Sequence, residues 1–442
     1  MRKSQNRLKF DVSGARLPSY LEICRGGKPN VFVRNRKISV IDLIFSMINR
    51  KGLTLYMELR GYMEIAHPKL EVSTVAYLKQ RMKLNPAAIE FLYKGHNRNF
   101  YQDPEETPSL YNGYLVLAAD GSDVNIPTTP ETIELYGSAS RKLAKPQAQI
   151  GLGCLYDVLN RFILDATINR VKFHEMAIAE RQVYQVQDTI GDQYPFMVIM
   201  DRGYTSMPAF LRLMDHNVPF VVRLKSSDFK AEQNAMKTDD EDVTISLTKS
   251  RRNNYLGTPD EEIMMRQDSF RLRFVRVTLE TGETEVLATT LSRDEFPADK
   301  FGEIYHMRWG IETAYEKLKD NLQLENFTGT KPRLIEQDIF ATIYVSNLAE
   351  DIIRDIEIEE QQRLSTGYKH KMRLNRNISI GILKNDLVPA LLEADPETQA
   401  QRFQAIYDEL ARNVVPIRVD RHFKRTKGLL VAKFSNTHKR SY

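Results

Sequence analysis

Tyr305, Arg308, Glu312 and Lys319 recur at intervals of 3, 4 and 7 within EIYHMRWGIETAYEKLKDNL, Glu303 to Leu322. At about 100° per residue they share an arc of roughly 60° on one helix. Ile304, Met307, Ile311, Ala314, Leu318 and Leu322 form the apolar stripe beside it. A carboxylate at such a border is held firmly yet open to a ligand. The plain alternative is a solvated Arg308–Glu312 pair at i,i+4, worth about 0.3–0.5 kcal/mol.

Two further acids bear on that choice. Asp120 closes the apolar run YLVLAAD and Asp201 closes PFMVIMD, each where the carboxyl end of a buried strand would meet solvent. In a mixed sheet such ends converge on one edge, and the Glu312 helix packed on that sheet would face it. Three carboxylates gathered there repel one another unless a cation lies among them. Oxygen donors without His or Cys suit Mg²⁺ or Mn²⁺. That is the chemistry of two-metal phosphoryl transfer, with Arg308 and Lys319 placed to hold phosphates.

The elements that position these groups are readable from periodicity. From about Ser39 to Tyr93 the pattern is helical, in SVIDLIFSMINRKG, TLYMELRGYMEIA and STVAYLKQRMKLN, each opened by a Ser or Thr cap. The pair joined by HPKLEV reads either as a structural hairpin or as a helix-turn-helix presenting Lys79, Gln80, Arg81 and Lys83 to DNA. From Gly113 onward, strand patterns YLVLAADGSDV, QIGLGCLYDVL, FILDATI, PFMVIMDRGY and PFVVRLK surround two helices, HEMAIAERQVYQVQ and SMPAFLRLMDHN. A mixed sheet with packed helices is expected. Between Lys225 and Pro297, DVTISLT, SFRLRFVRVTL and EVLATTL make a β-rich insertion with a hairpin signal at ETGET, and helices follow to the C-terminus.

Composition narrows the class. The 442 residues carry 63 Lys+Arg against 58 Asp+Glu, a net charge of +5, with 42% hydrophobic and 27% charged residues. Arg418 to Tyr442 holds eight Lys/Arg and one acid, Asp420, interleaved with Phe423 and Phe434, which suits a phosphate backbone. Cys24 and Cys154 stand in no metal-binding or disulfide spacing, so a reducing cytoplasm is expected. No apolar run reaches the ~18 residues of a membrane span. Among competing polar residues, Asp157, Asp165 and Asp192 are expected at exposed strand or loop positions, Trp309 in the core and His306 in solvent.

AADGSD, VIMDRGY and the set Y-x2-R-x3-E-x6-K together resemble the DDE transposases of bacterial insertion sequences, in the cut-and-paste branch. DGS at Asp120 departs from the more usual Asp-Gly-Thr, which keeps Asp123 as an alternative ligand. The resemblance covers most of the chain. It implies an α/β fold with a ribonuclease-H-like mixed-sheet catalytic core and a β-rich insertion, preceded by an N-terminal helical DNA-binding domain and followed by C-terminal helices. The corresponding spans are 1–108, 109–225, 226–297, 298–350 and 351–442. It further implies Asp120, Asp201 and Glu312 as catalytic metal ligands for Mg²⁺, with Mn²⁺ as substitute, in two ions. Tyr305, Arg308 and Lys319 would be DNA contacts. The partners would be double-stranded DNA, at terminal inverted repeats and target, and a second copy in a homodimeric synaptic complex, with no membrane. The location would be the bacterial cytoplasm, on the nucleoid. Rival readings are a ribonuclease-H-like nuclease or resolvase that only hydrolyses, and a non-catalytic DNA-binding derivative.

Overall fold

Eight strands in the order β3-β2-β1-β4-β5-β8-β7-β6 form the sheet that organises the site. They are β1 (Leu115–Asn125), β2 (Gln149–Asp157), β3 (Phe162–Arg170), β4 (Phe196–Met200), β5 (Phe220–Arg223), β6 (Asp240–Ser246), β7 (Ser269–Thr278) and β8 (Thr284–Thr289). The structure is a computed structural model and describes residues 2–34, 36–139, 146–278 and 282–417. The basic tail from Arg418, and most of the ETGET turn, lie outside the described residues.

Two units are distinguished, one drawn from Met1–Asn99, Val124–Gln149 and Glu316–Tyr442, the other from Phe100–Asp123 and Ile150–Tyr315. In the second, β1, β4 and β5 are parallel neighbours, and Leu115 to Ala119 are all at most 1% exposed. That accounts for their unbroken apolar sequence, since parallel strands are covered on both faces. β2 and β3 form an antiparallel hairpin with a register shift at Leu155/Tyr156. The helix Met207–Asp215 crosses from β4 to β5. The insertion strands continue the same sheet, since β8 pairs antiparallel with β5, β7 with β8, and β6 with β7. The architecture is thus mixed α/β around one large mixed sheet.

The first unit is helical. Val40–Ile48 opens with a capping box between Ser39 and Asp42, and Ser73 caps Thr74–Arg81 through the Ala76 N–H. Thr54 precedes Leu55–Ala66 without a side-chain cap. The long helix Pro332–Glu359 runs through this unit with most of its residues buried. The expected DNA-facing role of Arg81 is corrected here. Arg81 is 0% exposed, paired to Asp338 at 2.8 Å and hydrogen-bonded to Gln337, so it holds helices together. A guanidinium with that many buried acceptors has no donor left for solvent. Among the described residues, no helix is long and apolar enough to cross a membrane.

Candidate active site

Ala119 on β1 is in register with Met200 on β4, so Asp120 and Asp201 are the next residues along two adjacent parallel strands. Neighbouring strands lie about 4.8 Å apart and matched positions share a face, which sets the two carboxylates side by side. β1 itself continues past Asp120 to Asn125, whereas β4 ends at Met200 and Asp201 starts a 3-10 turn, Arg202–Tyr204. Asp201 Oδ1 accepts the Gly203 N–H at 2.6 Å. A Cβ at Gly203 would lie 2.9 Å from that same oxygen, which is why a glycine follows two residues after the acid.

The proximity has an electrostatic signature. Burial raises the Asp120 carboxyl to about 6, with Asp201 and Glu175 raising it further and the Gly121 N–H and Arg308 opposing. Asp123 is exposed, three residues on, where the alternation of a regular strand turns it to the other face from Asp120.

The segment carrying Glu312 is not one straight α-helix, contrary to the expectation from sequence. It comprises Phe301–His306, Trp309–Glu316 and a π-helical turn Lys317–Asn321. Arg308 N–H bonds to Tyr305 O at 3.1 Å and Gly310 N–H to Met307 O at 2.9 Å, a local tightening to i→i−3. Ile304, Ile311, Ala314, Leu318 and Leu322 are buried as their stripe requires, while Met307 is half-buried. Trp309, expected in the core, is 40% exposed and stacks near His306, with ring centroids 6.5 Å apart.

Helix Trp309–Glu316 is fastened to the sheet. The Tyr315 hydroxyl lies 2.8 Å from the Asp120 carbonyl oxygen and 2.9 Å from that of Leu152, donating to β1 and β2. A Cβ on Gly310 would come within 2.8 Å of Val158, so the helix approaches the β2–β3 connection closely. Arg308 is 8% exposed, donates to Glu312 at 2.8 Å, and lies 5.7 Å from the Tyr305 ring centroid. Its Nε has no hydrogen-bond partner. Tyr305 is also 8% exposed. Lys319 falls on the π-helical turn, in the other unit.

As the side chains stand, no three His, Cys, Asp or Glu residues among those described converge tightly enough to hold a metal ion. Glu312 is engaged by Arg308 instead. The donor chemistry nevertheless fits a hard divalent cation, because Asp120 and Asp201 offer oxygen only and repel each other without one.

Two expectations about other acids are corrected. Asp157 is 0% exposed, accepting from the Tyr101 hydroxyl at 2.7 Å and from the Asn160 amide at 2.8 Å, and Asp165 is 8% exposed. Both sit in the hairpin, where long-range donors satisfy them. Asp192 is exposed as expected. One neighbour was missed from sequence: Glu175, whose carboxylate reaches this edge although it lies in a separate helical pattern. The signal available was an acid at the first position of the helix that follows β3.

A family model described as a transposase DDE domain matches residues 111–348, more than half of the chain. Over 345 residues the chain is 23% identical to the transposase InsG for insertion sequence element IS4 of Escherichia coli (strain K12), covering 75% of this chain and 73% of InsG. It is 36% identical over 77 residues to the transposase for insertion sequence element IS421 of Escherichia coli, 17% of this chain and 21% of that relative. Among solved structures, a piggyBac transposase synaptic complex with hairpin DNA aligns with a TM-score of 0.45 and 10% identity, covering 90% of this chain and 80% of that one.

Proposed function

The chain belongs to the DDE transposase family of bacterial insertion sequences, and from that membership we propose that Asp120, Asp201 and Glu312 are its catalytic carboxylates. It is a DNA transposase, an enzyme that cleaves DNA and transfers strands. The observation that carries the residue assignment is the register of β1 on β4, which sets Asp120 beside Asp201.

The strand order β3-β2-β1-β4-β5 with the crossover helix supports reading the core as ribonuclease-H-like, with β8, β7 and β6 as its insertion. Asp120, Asp201 and Glu312 would hold Mg²⁺, or Mn²⁺ in its place, as two ions. When bound, such ions activate the attacking oxygen and stabilise the leaving one. The chain's own contribution is positional. Asp201 is aimed by the Gly203 N–H, and Tyr315 ties the Glu312 helix to the backbone of Asp120. Arg308, with Nε unpartnered and the Tyr305 ring against it, keeps donors for a DNA phosphate. Tyr305 and Lys319 complete the phosphate contacts in this reading.

The substrate proposed is double-stranded DNA at the element's terminal inverted repeats, then target DNA, handled by a homodimer in the synaptic complex on the bacterial nucleoid. The N-terminal helices would bind the ends, with Lys79, Gln80 and Lys83 as contacts and Arg81 as their support.

Cleavage of DNA bearing the element's own ends in Mg²⁺ tests the assignment. Asp120→Asn, Asp201→Asn and Glu312→Gln should each abolish nicking and joining while end binding persists. Nicking by Asp201→Asn at a substantial fraction of the wild-type rate would sink the triad. Retained activity in Asp120→Asn with loss in Asp123→Asn would move that ligand to Asp123.

A further inference from the structure

Glu175 is the first residue of helix Glu175–Gln185, whose cap is already supplied by His174, accepting from the Ala177 N–H. A helix N-terminus favours an acid at this position. That accounts for an acid being tolerated, but not for where its carboxylate lies. A Cβ built on Gly121, the residue after Asp120, would stand 2.9 Å from Glu175 Oε1 and 3.1 Å from Phe173 Cζ. The missing side chain therefore leaves a cradle into which the Glu175 carboxylate settles against the β1 backbone. Burial first, then Asp201 and Asp123, raise its carboxyl above the usual range. Among the described residues Glu175 makes no ion pair. A carboxylate leaning toward other carboxylates, with no cation of its own, is held against repulsion unless an ion is shared.

Glu312 meanwhile is occupied by Arg308 at 2.8 Å. We propose that Glu175 is a fourth carboxylate of the divalent-metal site, supplying an oxygen to the ion carried by Asp120 and Asp201 before DNA arrives. The inference rests on the reading above that Asp120 and Asp201 hold a metal. Glu312 would join once a DNA phosphate draws Arg308 away from it.

Mn²⁺ binding to the full-length protein without DNA tests this, by titration with electron paramagnetic resonance of the unbound ion. Wild type, Glu175→Gln, Asp201→Asn and Glu312→Gln are compared, each with a thermal melt in EDTA. Glu175→Gln should weaken the tightest Mn²⁺ by at least about tenfold, the loss that even an outer-shell partner causes. Its melting temperature in EDTA should equal or exceed wild type, because a repulsive charge is gone. Glu312→Gln should bind Mn²⁺ nearly as wild type does. Wild-type Mn²⁺ affinity in Glu175→Gln, alongside loss in Asp201→Asn, would overturn the role of Glu175 and leave the site standing. Wild-type affinity in Asp201→Asn as well would overturn the site itself and this proposal with it. A Mn²⁺ loss in Glu312→Gln as large as in Asp201→Asn would overturn the order of engagement.

Discussion

The Arg308 guanidinium donates to Glu312 across 2.8 Å while only 8% exposed, with its Nε left unpartnered. A pair of this kind is not the solvated i,i+4 contact that spacing alone allows. Burial of a half-satisfied guanidinium costs energy, and a phosphate would supply the missing acceptors.

Arg308→Ala should therefore lower cleavage or strand transfer on a pre-cleaved end by about 10²-fold or more, the scale of losing one preorganised electrostatic donor. Arg308→Lys should recover part of it, keeping the charge without the planar fork. Near-wild-type strand transfer by a well-folded Arg308→Ala protein would return the pair to a structural role.

Asp120 should make the metal-free protein sensitive to pH. Its folded pKa of about 6 lies above the ordinary value, so its contribution to stability is full below the ordinary range and is lost as pH rises through 6. Asp120→Asn should thus melt higher than wild type at pH 8 in EDTA, with the gap closing toward pH 4. A variant melting lower than wild type at pH 8 would contradict the crowding of acids at this edge.

Arg81 separates the structural from the DNA reading of the N-terminal helices. Removing it leaves Asp338 at 0% exposure with Arg50 at 3.0 Å as its remaining ionic partner. Arg81→Ala should cost about 3–5 kcal/mol, as breaking a buried pair does, seen as a lower denaturant midpoint. Full stability with weaker DNA binding would reverse the correction made above.

His96 offers a second pH dependence of opposite chemistry. It is 0% exposed, 2.8 Å from Asp11 and 3.3 Å from Asp351. Burial pushes its pKa down, but the two carboxylates outweigh it and hold the imidazolium to about 9. Its stabilisation is complete below the unfolded value near ~6.5 and is lost as pH rises through 9. The wild-type melting temperature should fall more steeply between pH 7 and 10 than that of His96→Gln. Parallel curves would show that His96 is neutral in the fold.

Much of the second unit was legible because its strands alternate or run apolar with periods that local sequence displays, and because Asp120 and Asp201 terminate such runs. The helix around Glu312 was legible as helix but not in its winding. The i→i−3 tightening at Arg308 and the π-helical turn after Glu316 arise from packing, and no residue type there announces them. Burial of Asp157 depends on Tyr101, 56 residues away, and burial of Arg81 on Asp338, 257 residues away. Glu175 likewise approaches Asp201 only through sheet topology. Partners so distant leave no trace in a local window, so a polar residue there reads as surface.

Gly203 fixes more than a turn. The Asp201 carboxylate is locked by a backbone N–H at 2.6 Å, in a space that no side chain on residue 203 could share. Its rotamer freedom is therefore surrendered during folding rather than at ligand capture, so any ion or phosphate that engages its second oxygen meets a group already aimed, and the ordering penalty of that encounter falls accordingly.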